Sequence, residues 1–509
     1  MGNPWLIAAA VMAATFMEVL DTTVVNVSLP HIAGTLSATT DESTWVLTSY
    51  LVANAVILPA TGWLSSHFGR KRFLITCIII FTLASLVCGA ATSLSMLIIA
   101  RIVQGAGGGA LQPISQAVLL ESFPPQKRGM AMAVFGLGVV VAPIIGPTMG
   151  GWITDNYSWR WIFYINLPIG VLAILLSSRY LQDPPWLKRT AESRIDYVGF
   201  GLLIVWIGAL QVMLDKGQQE DWFASPFVRT LAAVGVPALV IFLIWEMRVA
   251  HPIVNLRVLS NRNFLIGTML MTVMGMVLYG STALLPLFLQ TLLGYPALQS
   301  GLTLSPRGFG SIVAMLVVGR LIGKIDSRYL IMGGFALLGV STYRLSQLNL
   351  NIASSNVMWP NIFNGLAMGF IFVPLTTTSM GTLNNEQIGG ATGIYNLMRN
   401  LGGGVGISMA TTLLARNAQT HQATLVRHVN PYDPQFQHYA RVLGRLFGED
   451  GGTLSPRSLV LLYRLVLREA SLASFMDTFR LMAFLAILCV PIVFFFRGVR
   501  AKAGAVAAH

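Results

Sequence analysis

Three residues of this chain stand where a charge is costly. Glu18 and Asp21 lie three apart in an apolar run that begins at Trp5, and Arg101 lies in a second run, SLSMLIIARIVQGAGGG. If these runs cross a bilayer, each charge costs at least ~2.5 kcal/mol near the centre, so each needs a partner or a task. Residues three apart share a helix face. At ~1.5 Å per residue, Glu18 lies ~20 Å and Asp21 ~24 Å from Trp5. Arg101, on a helix running the other way, lies ~10 Å below the opposite surface. In a hydrocarbon core ~30 Å thick, the three groups share nearly one depth. A carboxylate pair facing a guanidinium is the expected arrangement. Such a trio handles protons: the arginine favours the charged carboxylate, while burial and the second carboxylate favour the protonated one. A change in the distance to Arg101 then captures or releases a proton. The same trio also suits a static pair that locks two helices.

The elements that must position these groups follow from composition. The 509 residues are 54% hydrophobic and only 10% charged, with a mean hydropathy of +0.67. A soluble domain carries about 25% charge, so a lipid-facing surface is the reading. Runs long enough to span occur at 5–26, 43–65, 73–92, 96–119, 130–154, 160–181, 196–215, 226–247, 263–292, 299–322, 328–346, 357–380, 387–414 and 474–497. They predict an all-α membrane protein with fourteen spans. A signal-peptide core tolerates the charges of the first run poorly, so that run is expected to be an uncleaved first span.

The net charge of +13 sets orientation rather than nucleic-acid binding, because the basic residues sit in short loops. With the N-terminus inside, the inner loops hold Arg70, Lys71, Arg72, Lys127, Arg128, Arg179, Lys188, Arg189, Arg194, Arg248, Arg257, Arg262, Arg320, Lys324 and Arg328. The tail adds Arg497, Arg500 and Lys502, and the short outer loops hold Arg160 and Lys216. That bias places both termini in the cytoplasm, which requires an even number of spans. One outer connection, from Arg416 to Ala473, is long. Asp433-Pro434 and Ser455-Pro456 each read as the start of a short helix within it, with Gly448, Gly451 and Gly452 between them.

The two ends of the chain echo each other. Gly62-Trp63-Leu64 matches Gly319-Arg320-Leu321, and Arg101-x-x-Gln104-Gly105 matches Asn361-x-x-Asn364-Gly365, at offsets of 257 and 260. Two related six-helix bundles with an inserted helix pair fit this spacing. The domains are then 1–182, an insert with linkers at 183–262, and 263–509 including the outer loop 415–473. Glu18, Asp21 and Arg101 map onto Gly275, Leu278 and Asn361. A charge cluster confined to one half is not what a symmetric lock requires.

Polar groups elsewhere in the runs are candidate substrate contacts: Asn26 and Gln104 in the first half, Asn364, Asn396 and Arg399 in the second. Pro143, Gly146, Pro147, Gly150 and Gly151 in the fifth run predict close packing and a bend. The glycines at 105–109 form no G-x-x-x-x-G-K-[ST], so the expected energy source is a proton gradient, not ATP, and no cofactor is implied. H-E-x-x-H and G-x-S-x-G are also missing, so no enzymatic site is expected. Cys77, Cys88 and Cys489 lie within apolar runs and suit neither a disulfide framework nor a metal.

These motifs resemble those of the major facilitator superfamily, in particular its fourteen-spanning drug:proton antiporters. LDTTVVNVSLP at 20–30 resembles the motif of helix 1, Arg101-x-x-Gln104-Gly105 that of helix 4, and GPTMGG at 146–151 the antiporter motif of helix 5. WRWIFYINLPIG at 159–170 and MLDKG at 213–217 match further motifs of that branch. The gating loop pattern G-x-L-x-D-x-x-G-R-K is met by Gly62, Leu64, Gly69, Arg70 and Lys71, with Ser66 where the acid is expected. The inner gate is therefore expected to rest on other contacts. VNPYDP at 429–434 and the long outer loop are similar to EmrB-type exporters of Gram-negative bacteria. The resemblance implies a multi-pass inner-membrane protein that exports drugs or other amphiphilic compounds in exchange for protons. It also implies a periplasmic adaptor and an outer-membrane channel as partners. A dedicated exporter of one class (fatty acid, siderophore or antibiotic) and a non-transporting receptor or scaffold stay open.

Overall fold

A computed structural model describes residues 3–183, 196–322, 324–427, 429–430, 432, 434–446 and 456–496. Among them the chain is helical, with no strand beyond a single isolated bridge. In chain order the helices are α1 Pro4–Thr35, α2 Thr40–Phe68, α3 Arg70–Gly89, α4 Leu94–Ser122, α5 Arg128–Asn156, α6 Trp161–Tyr180, α7 Tyr197–Lys216 and α8 Pro226–Arg248. They continue as α9 Arg262–Leu292, α10 Gln299–Leu321, α11 Ser327–Leu345, α12 Ser354–Met380, α13 Asn385–Val426, α14 Pro434–Leu446 and α15 Pro456–Ile492.

Local chemistry sets several boundaries. Asn3 caps α1, accepting from Trp5 N at 3.0 Å, with Pro4 in the first turn. Thr39 and Glu42 form a reciprocal capping box at the start of α2. Gly69, at φ 84°, turns the chain from α2 into α3. The α-helical course of α4 breaks at Gly109–Ala110, where the glycine run ends. Near the end of α9, Pro286 is followed by a π-turn at Phe288–Leu292.

Twelve of the fourteen expected spans are helices long and apolar enough to cross a membrane. The other two, α11 and α13, are long but less apolar. The surroundings of α13 explain its composition, and Arg328 and Arg344, near the two ends of α11, lower the hydropathy of that helix. α13 is wrapped by α9, α15, α2 and α4, and α11 packs on α12 and α15. A helix covered by other helices has less surface to offer lipid, so polar residues are tolerated there.

The long connection from Arg416 to Ala473 is more helical than its sequence suggests. α13 continues to Val426, and α15 runs unbroken from Pro456 through the expected short helix into the last span. No Gly or Pro interrupts 457–490, so nothing ends the helix. The helix expected after Asp433 is present as α14. Asp433, Gly448, Gly451, Gly452, Ser455, the linker residues Lys188, Arg189 and Arg194, and the tail residues Arg497, Arg500 and Lys502 lie outside the described residues.

The bundle has a near end, where α1 begins, and a far end, where it finishes. α1 packs on α5, α6 and α4, while α9 packs on α13, α12 and α15. α2 meets α13, and α5 meets α10 and α12. α7 and α8 pair with each other, and α7 lies against α2 and α13. The repeat reappears in the bonding. Arg101 Nε donates to the backbone carbonyl of Val46 at 3.1 Å, and Asn361, its counterpart by offset, donates to that of Leu304 at 2.8 Å. Positions 46 and 304 are related by the same offset to within a residue or two.

Candidate functional site

Asp21 and Arg101 are both fully buried, and the structure brings them together. Arg101 Nη1 donates to Asp21 Oδ2 at 2.6 Å. The other carboxylate oxygen, Oδ1, accepts from Gln104 Nε2 at 3.0 Å and from Asn166 Nδ2 at 2.7 Å. Asn166 is fixed in turn by Ser85 at 3.0 Å, and the Arg101 guanidinium stacks 4.1 Å from the Tyr50 ring. All three partners of Asp21 are N–H donors.

Glu18 does not join this group. It is 4% exposed and one turn nearer the near end. Its Oε1 accepts from Tyr50 Oη at 3.4 Å and Asn54 Nδ2 at 3.2 Å, and its Oε2 from Gln112 Nε2 at 2.6 Å. The expected carboxylate pair facing one guanidinium is therefore two sites. Three residues along a helix shift a side chain by ~60° and ~4.5 Å, enough to select different neighbours.

The candidate substrate residues fall in four places. Gln104 is committed to Asp21 and Arg101. Asn364 lies within the second half, accepting from Arg307 Nη2 at 3.1 Å and donating to Thr342 at 3.3 Å. Asn26 is exposed and stands apart from the network. Asn396 and Arg399 sit where α13 meets α4. Asn396 Nδ2 donates to Gln116 Oε1 at 2.7 Å, and Arg399 Nη2 to Gln112 Oε1 at 2.5 Å. Arg399, which has no acidic neighbour in sequence, thus reaches Glu18 through Gln112. It also borders a cavity of about 30 Å³ with Val139, Val140, Met274, Met315 and Phe372. A larger groove of about 520 Å³ lies away from this chemistry, between α11 and α12.

Tyr50, Asn54, Gln112, Gln116 and Asn166 escaped the sequence reading. Being uncharged, they carry no large burial penalty to mark them. Polar residues inside apolar runs were the available signal.

The near end is closed by two seams. Along α2 and α13, a Cβ on Gly62 would lie 2.4 Å from Gly390 Cα. Along α5 and α10, Gly319 faces Ala133 and Gly129 faces Ile322. Among the described residues no comparable seam joins α1 to α9 at the far end. The motif glycines of α5 serve a different contact. Gly146 and Gly150 admit Thr23 and Val24 of α1, and Gly151 stands 3.7 Å from Val27 by the same measure. Pro143 and Pro147 lie within the helix, on its exposed side.

A profile of the Major Facilitator Superfamily matches residues 11–407 of the chain. The chain belongs to the major facilitator superfamily. It is EmrB-like over most of its length: Multidrug export protein EmrB of Escherichia coli (strain K12) is 40% identical over 433 residues, 85% of this chain and 84% of that protein. Fatty acid resistance protein FarB of Neisseria gonorrhoeae is 40% identical over 441 residues, 87% of each chain. The structure of the proton:xylose symporter XylE bound to 6-bromo-6-deoxy-D-glucose aligns with a TM-score of 0.61 at 15% identity, covering 96% of both chains, a likeness of fold. The chain is thus a multi-pass membrane protein of a transporter superfamily.

In this major facilitator chain Ser66 stands where the motif after the second span expects an acid, and its hydroxyl turns back to Trp63 O at 2.8 Å. Arg70 pairs with Glu121 at the end of α4, each side chain 5% exposed. A Cβ on Gly389, in the first turns of α13, would lie 3.4 Å from Arg70 Nη2. Lys71 ties the loop to the end of α6, donating through Nζ to Ser178 O at 2.6 Å and through its backbone to Asp183 at 2.8 Å. Removing one partner of a buried pair strands the other charge. Arg70→Met is expected to cost about 3–5 kcal/mol, and the double change Arg70→Met, Glu121→Leu to restore most of it. Unfolding in mixed micelles checks this; equal losses in single and double variants would contradict it.

Proposed function

We propose that the chain is a proton-coupled antiporter. It exports amphiphilic compounds, drugs among them, across the bacterial inner membrane, with its near end and both termini in the cytoplasm. The observation that carries this reading is the contrast between the two buried carboxylates. Asp21 is ion-paired with Arg101, whose guanidinium only donates and stays charged, so a proton placed on Asp21 would strand that cation. Glu18 has no cation among its direct partners, a hydroxyl and two amides that rotate or flip to accept as well as donate. Glu18 therefore takes and gives the proton, and Asp21 with Arg101 supplies a fixed charge pair beside it.

The rest of the reading follows from position. The first six helices carry the proton site and α9–α13 with α15 carry Arg399, with α7 and α8 as the insert. Substrate occupies the junction, where Met274, Met315 and Met368 offer polarizable surfaces that adapt to varied shapes. The names of the EmrB relatives support drug export. The name of the Neisseria gonorrhoeae relative, and a cation beside an apolar cavity, favour a second reading: a dedicated exporter of one class such as fatty acids. α13 is ~63 Å long, twice the hydrocarbon thickness. Its far-end extension, with α14 and the start of α15, gives a periplasmic adaptor and through it an outer-membrane channel a surface to meet.

Everted membrane vesicles test the proposal. With the lumen made acidic, the protein should drive ethidium into the lumen, and Glu18→Gln should reduce this to the level of vesicles lacking the protein. Accumulation unchanged by Glu18→Gln would sink the assignment. A panel of cationic, neutral and anionic amphiphiles separates the two substrate readings: broad transport supports the first, transport of anions alone the second.

A further inference from the structure

Gln112 is bonded at both ends of its amide, and the ends belong to different halves of the molecule. Its Nε2 donates to Glu18 Oε2 on α1 at 2.6 Å, and its Oε1 accepts from Arg399 Nη2 on α13 at 2.5 Å. One turn along, Gln116 Oε1 accepts from Asn396 Nδ2 at 2.7 Å. The faces of α4 and α13 are thus joined by two amide links at mid-membrane, between the near-end seam and the far end. Only one of them touches a carboxylate.

We infer that Gln112 is a positioning residue that passes the protonation state of Glu18 to Arg399 and so to the contact between the halves. The inference rests on the proton role proposed for Glu18. An amide has one donor end and one acceptor end. An anion on one side and a guanidinium on the other hold it in a single orientation, and both hydrogen bonds are charge-assisted. When Glu18 gains a proton, the anion disappears and the new O–H seeks an acceptor. Gln112 Oε1 comes within reach if the amide turns. Turned, it presents its NH2 to Arg399, donor against donor, and the link across the halves is lost. The only bond formed is the O–H of Glu18, from a proton taken up from solvent, and one amide reorients. Protonation from the far side would thus release the near-end closure, the order an antiporter needs.

The other charged or titratable groups facing Glu18 are Asp21 on its own helix and Tyr50 on α2, with Arg101 of α4 behind Tyr50. Charge on α5 and α6 lies only at their ends, at Arg128, Asp155 and Arg179. The relay is asymmetric. The residue related to Glu18 by the repeat is Gly275, where a Cβ would lie 2.4 Å from Arg399 O. The second half thus has no carboxylate there, and α13 packs into the space.

The test uses the full chain in nanodiscs, spin-labelled at His31→Cys on α1 and Thr291→Cys on α9, both exposed at the far end. The native cysteines are buried and stay unlabelled. Two quantities are followed across pH: the label distance, and the carboxyl infrared band that Glu18→Gln removes. In the parent chain both should change together. In Gln112→Leu the band should still titrate, while the shift in conformational equilibrium falls about tenfold. Glu18→Gln combined with Gln112→Leu should behave as Glu18→Gln alone. If Gln112→Leu misfolds, Gln112→Asn, one methylene too short to reach both partners, serves in its place. A full distance response in a folded Gln112 variant overturns the inference and leaves the proton role of Glu18 standing. A parent chain whose band does not titrate overturns the underlying reading and this one with it.

Discussion

Asp21→Asn is expected to cost this protein both its transport and about 3–5 kcal/mol of its stability. Arg101 is fully buried, and Asp21 is its counter-charge at 2.6 Å. An amide in place of the carboxylate strands the guanidinium. In one of its two orientations it also places an NH2 against Arg101 Nη1, which can only donate. If ~3 kcal/mol of the loss falls on the exchange step, the rate drops about a hundredfold. Glu18→Gln should differ. Its partners Tyr50, Asn54 and Gln112 can reorient, so the variant folds with a change within about 1 kcal/mol, while proton-driven exchange is lost. Denaturant unfolding and vesicle transport, measured on both variants, check the contrast. Equal stability losses would mean that the two carboxylates do not play the separate parts assigned to them.

The second large effect lies at the near end. Gly62→Val should prevent closure there, because its Cβ would sit 2.4 Å from Gly390 Cα and 2.7 Å from Gly390 N. These are backbone atoms that no rotamer change can move. The neighbouring Gly390→Ala is the control, since a Cβ on Gly390 meets nothing within 4 Å. Two glycines in van der Waals contact thus have opposite tolerances. Exchange should fall more than tenfold in Gly62→Val, about the effect of adding 1.4 kcal/mol to the closing step, and stay near the parent level in Gly390→Ala. A cysteine at Ser65, buried in the seam, reports the cause. It should react with an impermeant maleimide from the near side in Gly62→Val and stay protected in Gly390→Ala.

Much of the fold could be read from the sequence because a bilayer imposes one rule, an apolar run of fixed length. The rule weakens for α13, which is shielded by other helices and so escapes the demand for an apolar surface, and for α11, whose hydropathy is lowered by Arg328 and Arg344 near its ends. The pairing of Asp21 with Arg101 was legible because helix rise is constant and charges are rare in lipid. The separation of Glu18 from that pair was not. It depends on which uncharged side chains α2 and α4 present, and Tyr50, Asn54 and Gln112 look ordinary in sequence. The partner of Arg399 lies across the junction of the halves, and only docking creates it. The lengths of α13 and α15 were hidden differently. Signals for a new helix at Ser455-Pro456 were visible, whereas the lack of any signal to stop it is a property of the next thirty residues.

The measurement that bears most directly on proton-coupled exchange uses purified protein in proteoliposomes loaded with a pH-sensitive dye, with ethidium movement followed at the same time. In the absence of any other gradient, an ethidium gradient should drive protons the opposite way through the parent chain. That flux should vanish in Glu18→Gln. Ethidium movement with no opposing proton flux, or a proton flux that survives Glu18→Gln, would contradict the account.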